Sequence, residues 1–197
     1  MKNKLLDIFL LTDDVYQRPL RKRRVLLLLC IAAGLIFVLD HAAKRGFVFL
    51  NNIFAIITAV VLILFTGIFS IVMFAWPMTD LAVYLSGGLE RFNVTVKRMK
   101  LVKGFLYAAI YTGTVAALLK IIIYATVDIQ AAGILSTIVS ILGAIWAAAM
   151  ITRCITIVFV ETKPRRLLVF GASVIWYYIT VVQITVFIIK IAYSIIL

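Results

Sequence analysis

The sequence is poor in acidic residues, cysteine and histidine, and these absences exclude several classes of site. Its 197 residues include eight Asp and Glu, two Cys and one His. Cys30 and Cys154 lie in or beside apolar runs and form no CxxC or Cys/His cluster, so a disulfide framework is not expected. His41 has no second His or Cys nearby and makes a poor metal site.

Motifs that carry enzyme chemistry are also missing from the sequence. The chain has no HExxH, no GxSxG, no phosphate-binding Walker loop and no pair of carboxylates placed to face each other. We therefore expect a protein that is not an enzyme. We expect no catalytic residue, no cofactor and no bound metal.

Hydrophobic residues are abundant instead, at 65% of the chain. Soluble domains are usually ~45–50% apolar, and long uncharged apolar runs are typical of proteins embedded in a bilayer. Backbone groups inside hydrocarbon must be paired within the chain, so helices are the default for such runs. The sequence predicts an all-α integral membrane protein, in a bacterial cytoplasmic membrane or, as an alternative, a eukaryotic endomembrane.

The apolar runs predict a transmembrane domain over residues 25–197 that contains five spans. A cytoplasmic or interfacial segment, residues 1–24, precedes it. In this segment Thr12-Asp13-Asp14 could cap a short helix through Val15 and Tyr16. The apolar stretch Lys4–Leu11 could lie in the membrane interface or pack on the ends of the spans. The spans cover residues 25–43, 47–76, 101–127, 129–160 and 167–197, and the second is expected to stop at Pro77.

Basic residues give the chain a net charge of +12 and decide its predicted orientation. They cluster before the first span, between the second and third, and between the fourth and fifth, while the opposite loops hold only Lys44 and Arg45. The positive-inside rule then places the N-terminus in the cytoplasm and the C-terminus outside. The clustered residues expected to face lipid or a partner are Arg18, Arg21, Lys22, Arg23, Arg24, Arg91, Lys97, Arg98, Lys100, Lys103, Lys163, Arg165 and Arg166.

Basic clusters beside apolar runs favour contact with anionic lipid headgroups over nucleic-acid binding. Between the second and third spans, Gly87 and Gly88 permit a tight turn before the basic run. This loop is either a turn with a topology signal or a docking surface for a cytoplasmic partner. The sequence leaves both interpretations open.

Small residues recur every four positions in two spans and predict close helix packing, because small side chains let helix backbones approach in lipid. The two faces are expected to pack tightly, against each other or against other helices. The third span contributes Ala109, Gly113 and Ala117, and the fourth contributes Ala132, Ser136, Ser140, Ala144 and Ala148.

Two lysines, Lys120 and Lys190, fall within predicted spans near their outer ends. Long basic side chains at such positions reach the interface by snorkelling. We interpret Lys120 as an anchor or an ion-pair partner rather than a transport residue, because no acidic residue is predicted at mid-membrane. The sequence leaves open whether either lysine has a function.

Three stretches resemble the Yip-type domain family, small five-span membrane proteins that include bacterial members. They are LLDIFLLTDDVYQRPLRKRRVLLLL, DLAVYLSGGLERFNVTVKRMKLVKGFLYAAI and ILGAIWAAAMITRCITIVFVETKPRRLLVFGASVIW. The most specific part is Gly87-Gly88 followed by Phe92. The resemblance implies a five-helix membrane protein with a cytoplasmic N-terminus, whose eukaryotic relatives act in vesicle trafficking and membrane shaping.

The predicted function is that of a non-enzymatic membrane scaffold or adaptor. Its basic cytoplasmic face would contact anionic lipid headgroups and a membrane or cytoplasmic partner protein, and the chain could form homo- or hetero-oligomers. The alternative is a subunit of a membrane transporter or channel. An enzyme acting on a lipid-derived substrate ranks third.

Overall fold

The computed structural model describes residues 10–18, 23–45, 53–87 and 94–196. Within them, side chains are left undescribed at residues 23, 40–45, 54, 55, 70, 182, 185, 189, 192, 193, 195 and 196. Every regular element in these ranges is helical, which confirms the all-α prediction.

Seven α-helices, one 3₁₀ segment and one π segment make up the described chain. Four helical stretches are long and apolar enough to cross a membrane, namely Ile56–Leu85, Val94–Thr126, Ile129–Val158 and Val160–Ile188. The chain is therefore built as a membrane helical bundle. In order, the elements are α1 (Asp13–Gln17), α2 (Arg23–Arg45), α3 (Ile53–Leu85), α4 (Val94–Thr126), α5 (Ile129–Val158), the 3₁₀ segment Val160–Arg165, α6 (Arg166–Tyr177), the π segment Tyr178–Ile184 and α7 (Thr185–Ile196).

The predicted end of the second span at Pro77 is wrong, because α3 continues through this proline to Leu85. Proline lacks an N–H and leaves the carbonyl four residues earlier without its helical donor. That carbonyl belongs to Met73, and it accepts a hydrogen bond of 2.8 Å from the indole Nε1–H of Trp176. A neighbouring helix thus supplies the missing donor, which is how membrane helices tolerate an internal proline.

The other predicted spans differ from the helices mainly at their ends. Helix α4 begins at Val94 rather than at 101, so the basic run Lys97–Lys103 is helical and not a loop. Helix α5 ends at Val158. The predicted fifth span is helical over its described part but contains the π segment. The first predicted span lies on α2, whose described apolar part, Arg24–Leu39, is shorter than the four long stretches.

Helix α4 is the centre of the packing and lies against α1, α2, α3 and α5. Glycines permit close approaches between helices. A Cβ on Gly34 of α2 would lie 1.9 Å from the backbone oxygen of Ile63 in α3, and one on Gly104 would lie 2.4 Å from the Cys154 sulfur. Backbone contact this close is possible only where no side chain intervenes.

The predicted small-residue faces of α4 and α5 point mostly into the protein. Gly113 faces α2 rather than α5, since a Cβ there would lie 2.7 Å from Ile36 Cγ2. On α5, Gly143 approaches Ala116 of α4. Gly113 and Ser140 are half-buried, and the buried members are Ala109, Ala117, Ala132, Ser136, Ala144 and Ala148.

Large buried side chains concentrate toward one end of the long helices. Phe74 and Phe105 stack with ring centroids 4.7 Å apart, and the Tyr177 ring meets both edge-on. These three aromatic rings tie α3, α4 and α6 together. Toward the opposite end, the α4–α5 hairpin exposes apolar side chains such as Leu118 and Ile134, as expected where lipid covers the surface.

Candidate functional site at the basic end of the helices

The ends of α3 and α5 and the beginnings of α2, α4 and α6 lie together, and we call this the basic end. Successive long helices run in opposite directions, which brings these ends to the same side of the bundle. Two contacts between the ends support this arrangement. Lys97 of α4 lies over the Phe159 ring just after α5, with 5.1 Å between Nζ and the ring centroid. The Arg165 guanidinium, just before α6, donates to the Leu85 carbonyl at the end of α3.

Helix α1 is docked on the basic end through Tyr16. Its side chain is 0% exposed, and it contacts the space that Gly104 leaves beside Cys154. The Tyr16 hydroxyl donates a 2.7 Å hydrogen bond to the Leu10 carbonyl, so the buried phenol has an acceptor. A fully buried, hydrogen-bonded tyrosine is a strong anchor for so short a helix.

Two cations on the bundle complete the docking of α1. Lys103 Nζ donates to the carbonyls of Val15, at 2.6 Å, and Arg18, at 3.1 Å. These carbonyls lie at the C-terminal end of α1, where a cation is favoured because helical carbonyls are unpaired there. Arg153 of α5 forms an ion pair with Asp13, with Nη2 and Oδ1 2.9 Å apart.

Burial changes the acid–base chemistry of Tyr16. Desolvation raises the pKa of the phenol above its ordinary value of 10.0, because the phenolate cannot be solvated there. The neighbouring Cys154 acts in the same direction, while the Arg153 cation opposes it. The docked state of α1 therefore favours the neutral phenol.

A second ion pair joins α3 and α4 at the basic end. Arg98 lies 3.0 Å from Asp80, and its guanidinium carbon lies 5.5 Å from the centroid of the Trp76 ring. The Trp76 ring thus helps to hold this arginine in place through a cation–π contact. Arg98 therefore contacts the protein itself, although the sequence had placed it among the side chains facing lipid or a partner.

The predicted Gly-Gly turn is described as far as Gly87, which has a positive φ of 70°. This conformation is open to glycine without strain, and it closes the C-terminal end of α3. The Ser86 and Gly87 amides donate to the Ala82 and Tyr84 carbonyls. Gly88 lies outside the described residues.

The structure divides the predicted lipid-facing or partner-facing basic residues into three groups. Arg18, Arg24, Lys163, Arg165 and Arg166 are exposed, although Arg165 is also bonded to Leu85. Partly buried are Lys97, Arg98, Lys100 and Lys103. The described structure does not include Arg21, Lys22, Arg91 or the side chain of Arg23.

The Lys120 side chain is buried against its neighbours. It is 8% exposed on α4, whereas Lys190 on α7 is exposed. One turn beyond Lys120, the Tyr124 hydroxyl and Ser136 Oγ are 2.9 Å apart and link α4 to α5. Among the described residues, no group of three or more His, Cys, Asp or Glu could hold a metal ion.

The docking of α1 is the part of this site that sequence reasoning missed. A short helix through Val15 and Tyr16 was expected, and Thr12 does occupy the N-cap position, but without a side-chain capping bond. The sequence leaves open whether the preceding apolar stretch, Lys4–Leu11, lies in the membrane interface or packs on the ends of the spans. Of its residues the structure describes Leu10 and Leu11, which pack against the buried core.

Comparison with known proteins gives no relative for this arrangement. No protein-family model, no curated protein and no solved structure matches the chain.

Proposed function

We propose that the protein is a five-span membrane scaffold or adaptor without enzymatic activity, with its N-terminus in the cytoplasm and its C-terminus outside. In this proposal α2 is the first span and the basic end faces the cytoplasm. The basic end contacts anionic lipid headgroups and a partner protein. Membership of the Yip-type family is part of the same proposal and rests on the sequence resemblance.

The observation that carries the proposal is the uneven placement of basic side chains along the helices. Exposed Arg24, Lys163 and Arg166 begin or precede helices at the basic end. Among the side chains that the structure describes, Lys190 is the exposed basic residue toward the opposite end. Cations at one membrane surface are favoured by the anionic cytoplasmic leaflet, at about 1 kcal/mol for each residue near the surface.

The structure also suggests which cations are available for lipid. Arg98 and Arg153 are paired with aspartates, and Lys103 binds the carbonyls of α1. Lys163 and Arg166 lie instead around the start of α6, where Leu167 is 87% exposed. Apolar side chains next to exposed cations are the combination expected at a headgroup boundary.

The test is native mass spectrometry of the full chain released from nanodiscs that contain equal phosphatidylglycerol and phosphatidylcholine. The wild type should retain phosphatidylglycerol preferentially, and Lys163→Gln/Arg166→Gln should lose at least half of this preference. Lys190→Gln is the matched control, because it removes an exposed cation from the opposite end. Equal retention by the wild type and the double variant would refute the lipid-contact role.

The second candidate, a transporter or channel subunit, is favoured by one observation. Lys120 is buried within a helix long enough to span the membrane, and ionisable side chains at such positions often mark ion or substrate paths. Reconstituted wild-type protein would then conduct or exchange ions across liposomes, and Lys120→Met would abolish this flux. A wild type without flux under ion and pH gradients would remove this candidate.

A further inference from the structure

A polar pair lies on the segment that joins α6 to α7. Gln183 Nε2 donates a 2.8 Å hydrogen bond to the hydroxyl oxygen of Tyr178, five residues earlier. Both belong to the π segment, whose i→i+5 repeat places residues five apart above each other. The Gln183 side chain is exposed, and Tyr178 is half-buried.

This pair lies deep along the membrane-spanning helices. The hydrogen bond from Trp176 to the Met73 carbonyl places Trp176 level with Met73, roughly 18 Å from the end of α3 at Leu85. Gln183 lies roughly 10 Å farther along the same segment, whereas α3 continues roughly 30 Å beyond Met73 toward Ile53. In a bilayer crossed by these helices, the exposed amide would lie at a depth where hydrocarbon rather than water surrounds it.

The amide has hydrogen-bonding capacity left over. Within the described part of the chain, its bond to Tyr178 is the one that the Gln183 side chain makes, so its carbonyl oxygen and one N–H have no partner. Hydrocarbon offers none, and exposing unpaired polar groups to it is unfavourable. In membranes such amides are satisfied by hydrogen bonds between helices.

An apolar cleft of about 440 Å³ adjoins this pair, between α5 and α6. Ile175 and Ile179 line it on the side of Gln183, which follows Ile179 by four residues. Ile141 and Ile145 of α5 form the opposite wall, and Tyr178 belongs to both the cleft and the polar pair. The exposed amide thus stands beside a surface that can receive apolar side chains.

We propose that this surface is a homodimer interface and that its occupant is a second copy of the chain. A carboxamide is both a donor and an acceptor, so Gln183 is complementary to Gln183 of a copy related by a two-fold axis. The two amides bond across the axis, and apolar side chains of each copy enter the cleft of the other. Neither the topology nor the lipid contact at the basic end is needed for this arrangement.

The test counts subunits of the full chain, fused to a fluorescent protein, by single-molecule photobleaching in liposomes of decreasing protein density. The wild type should dimerise, and Gln183→Leu should raise the density needed for half-dimerisation at least tenfold. Gln183→Asn keeps a self-complementary amide and should dimerise more strongly than Gln183→Leu. Thr137→Val, which removes an exposed hydroxyl of α5 outside the cleft, is the matched control and should behave as the wild type does.

Three results would overturn the dimer. The first is a wild type that is monomeric at every density, whether or not lipid occupies the cleft. The second is equal dimerisation by the wild type and Gln183→Leu. The third is a loss of dimer in Thr137→Val as large as that in Gln183→Leu. Unchanged thermal unfolding of Gln183→Leu shows that the variant is folded, so that a loss of dimer reports the interface.

Discussion

At the scale of the residue, Tyr16 shows how a few contacts hold a short helix. Helix α1 has five residues and would not be stable alone in water, because isolated helices of this length are marginal. It persists through burial of the phenol ring, the Asp13–Arg153 ion pair and the Lys103 contacts to its last carbonyls. The ion pair is partly exposed and contributes ~1 kcal/mol or less, so the buried ring is the main anchor.

Tyr16→Ala is therefore expected to release α1 from the basic end. Loss of a fully buried aromatic ring costs about 3 kcal/mol, which is large for so small an element. Hydrogen exchange of the amides in Asp13–Gln17 should become fast while α4 and α5 stay protected. Tyr84→Ala is the matched control, because that tyrosine is 79% exposed. Protection of α1 that survives Tyr16→Ala would contradict the anchor role.

The raised pKa of Tyr16 also predicts how docking depends on pH. Below the ordinary pKa near 10 the phenol is neutral in both the docked and the undocked state, so its burial stabilises docked α1 in full. As the pH rises above 10, the undocked phenol ionises first and undocking is favoured. Exchange protection of α1 should fall in this range.

Tyr16→Phe is the control for that pH dependence. Every other group that titrates in alkaline solution is present in both proteins, so the difference between them isolates the phenol. Identical loss of protection in wild type and Tyr16→Phe would mean that the Tyr16 pKa plays no part.

At the scale of the element, α3 depends on a neighbour for its continuity. The Met73 carbonyl, left without a helical donor by Pro77, is bonded by the Trp176 indole. Close backbone packing of α2 on α3 at Gly34 fixes the other part of the same helix. The continuation of α3 past Pro77 is thus supported by a side chain of α6, Trp176, which lies far from it in sequence.

A double-mutant cycle tests the link between Pro77 and Trp176. Trp176→Phe should destabilise the wild type by about 1–3 kcal/mol, because the Met73 carbonyl is left unpaired. In Pro77→Ala the restored backbone N–H can bond that carbonyl, so the same change should cost less by about 1 kcal/mol. Unfolding free energies in mixed micelles provide the measurement, and strict additivity would disprove the coupling.

The α2–α3 contact makes a second prediction for packing. Gly34→Ala introduces a Cβ 1.9 Å from a backbone oxygen, so the helices must separate, at a cost of about 1–3 kcal/mol. Gly133→Ala is the control, because nothing lies within 4 Å of its Cβ. We expect a lower thermal midpoint for the first variant and a change of no more than ~0.5 kcal/mol for the second. Equal midpoints would show that α2 and α3 do not pack this closely.

At the scale of the whole molecule, helix direction and charge together define two ends. The basic end carries α1, the stacked aromatic rings and most of the exposed cations among the described side chains, and the opposite end carries the α4–α5 hairpin. An odd number of spans keeps all basic clusters on one side, since an even number would divide them. The proposed orientation therefore predicts that the chain termini lie on opposite sides of the membrane.

Reporter fusions at the two termini measure this topology. A reporter active only in the cytoplasm should work at the N-terminus and fail at the C-terminus, and a reporter active only outside should do the reverse. Truncation after Thr126, with the same fusions, controls for effects of the tags, because it removes two predicted spans and should leave the C-terminal reporter outside. Both full-length termini in one compartment would refute the five-span proposal.

Much of the fold could be predicted because it depends on local composition. Apolar runs of sufficient length specify helices in lipid, and the predicted fourth span agrees with α5 within a few residues. The continuation of α3 through Pro77 and the start of α4 at Val94 could not be predicted. Local rules assign a proline and a basic run to a helix end, whereas Trp176, Asp80 and Phe159 support helix on both sides of these positions.

The sequence by itself determined the helical character, the membrane-length runs and the clustering of cations, because each depends on neighbouring residues and on lipid as the solvent. Only the tertiary structure decided which basic side chains bind other groups of the protein and where Tyr16 docks. It also decided that the Gln183 side chain faces outward beside a cleft. These features depend on contacts between residues far apart in sequence, such as Asp13 with Arg153 and Trp176 with Met73. No local pattern encodes such pairs, because their distances are set by how the helices pack.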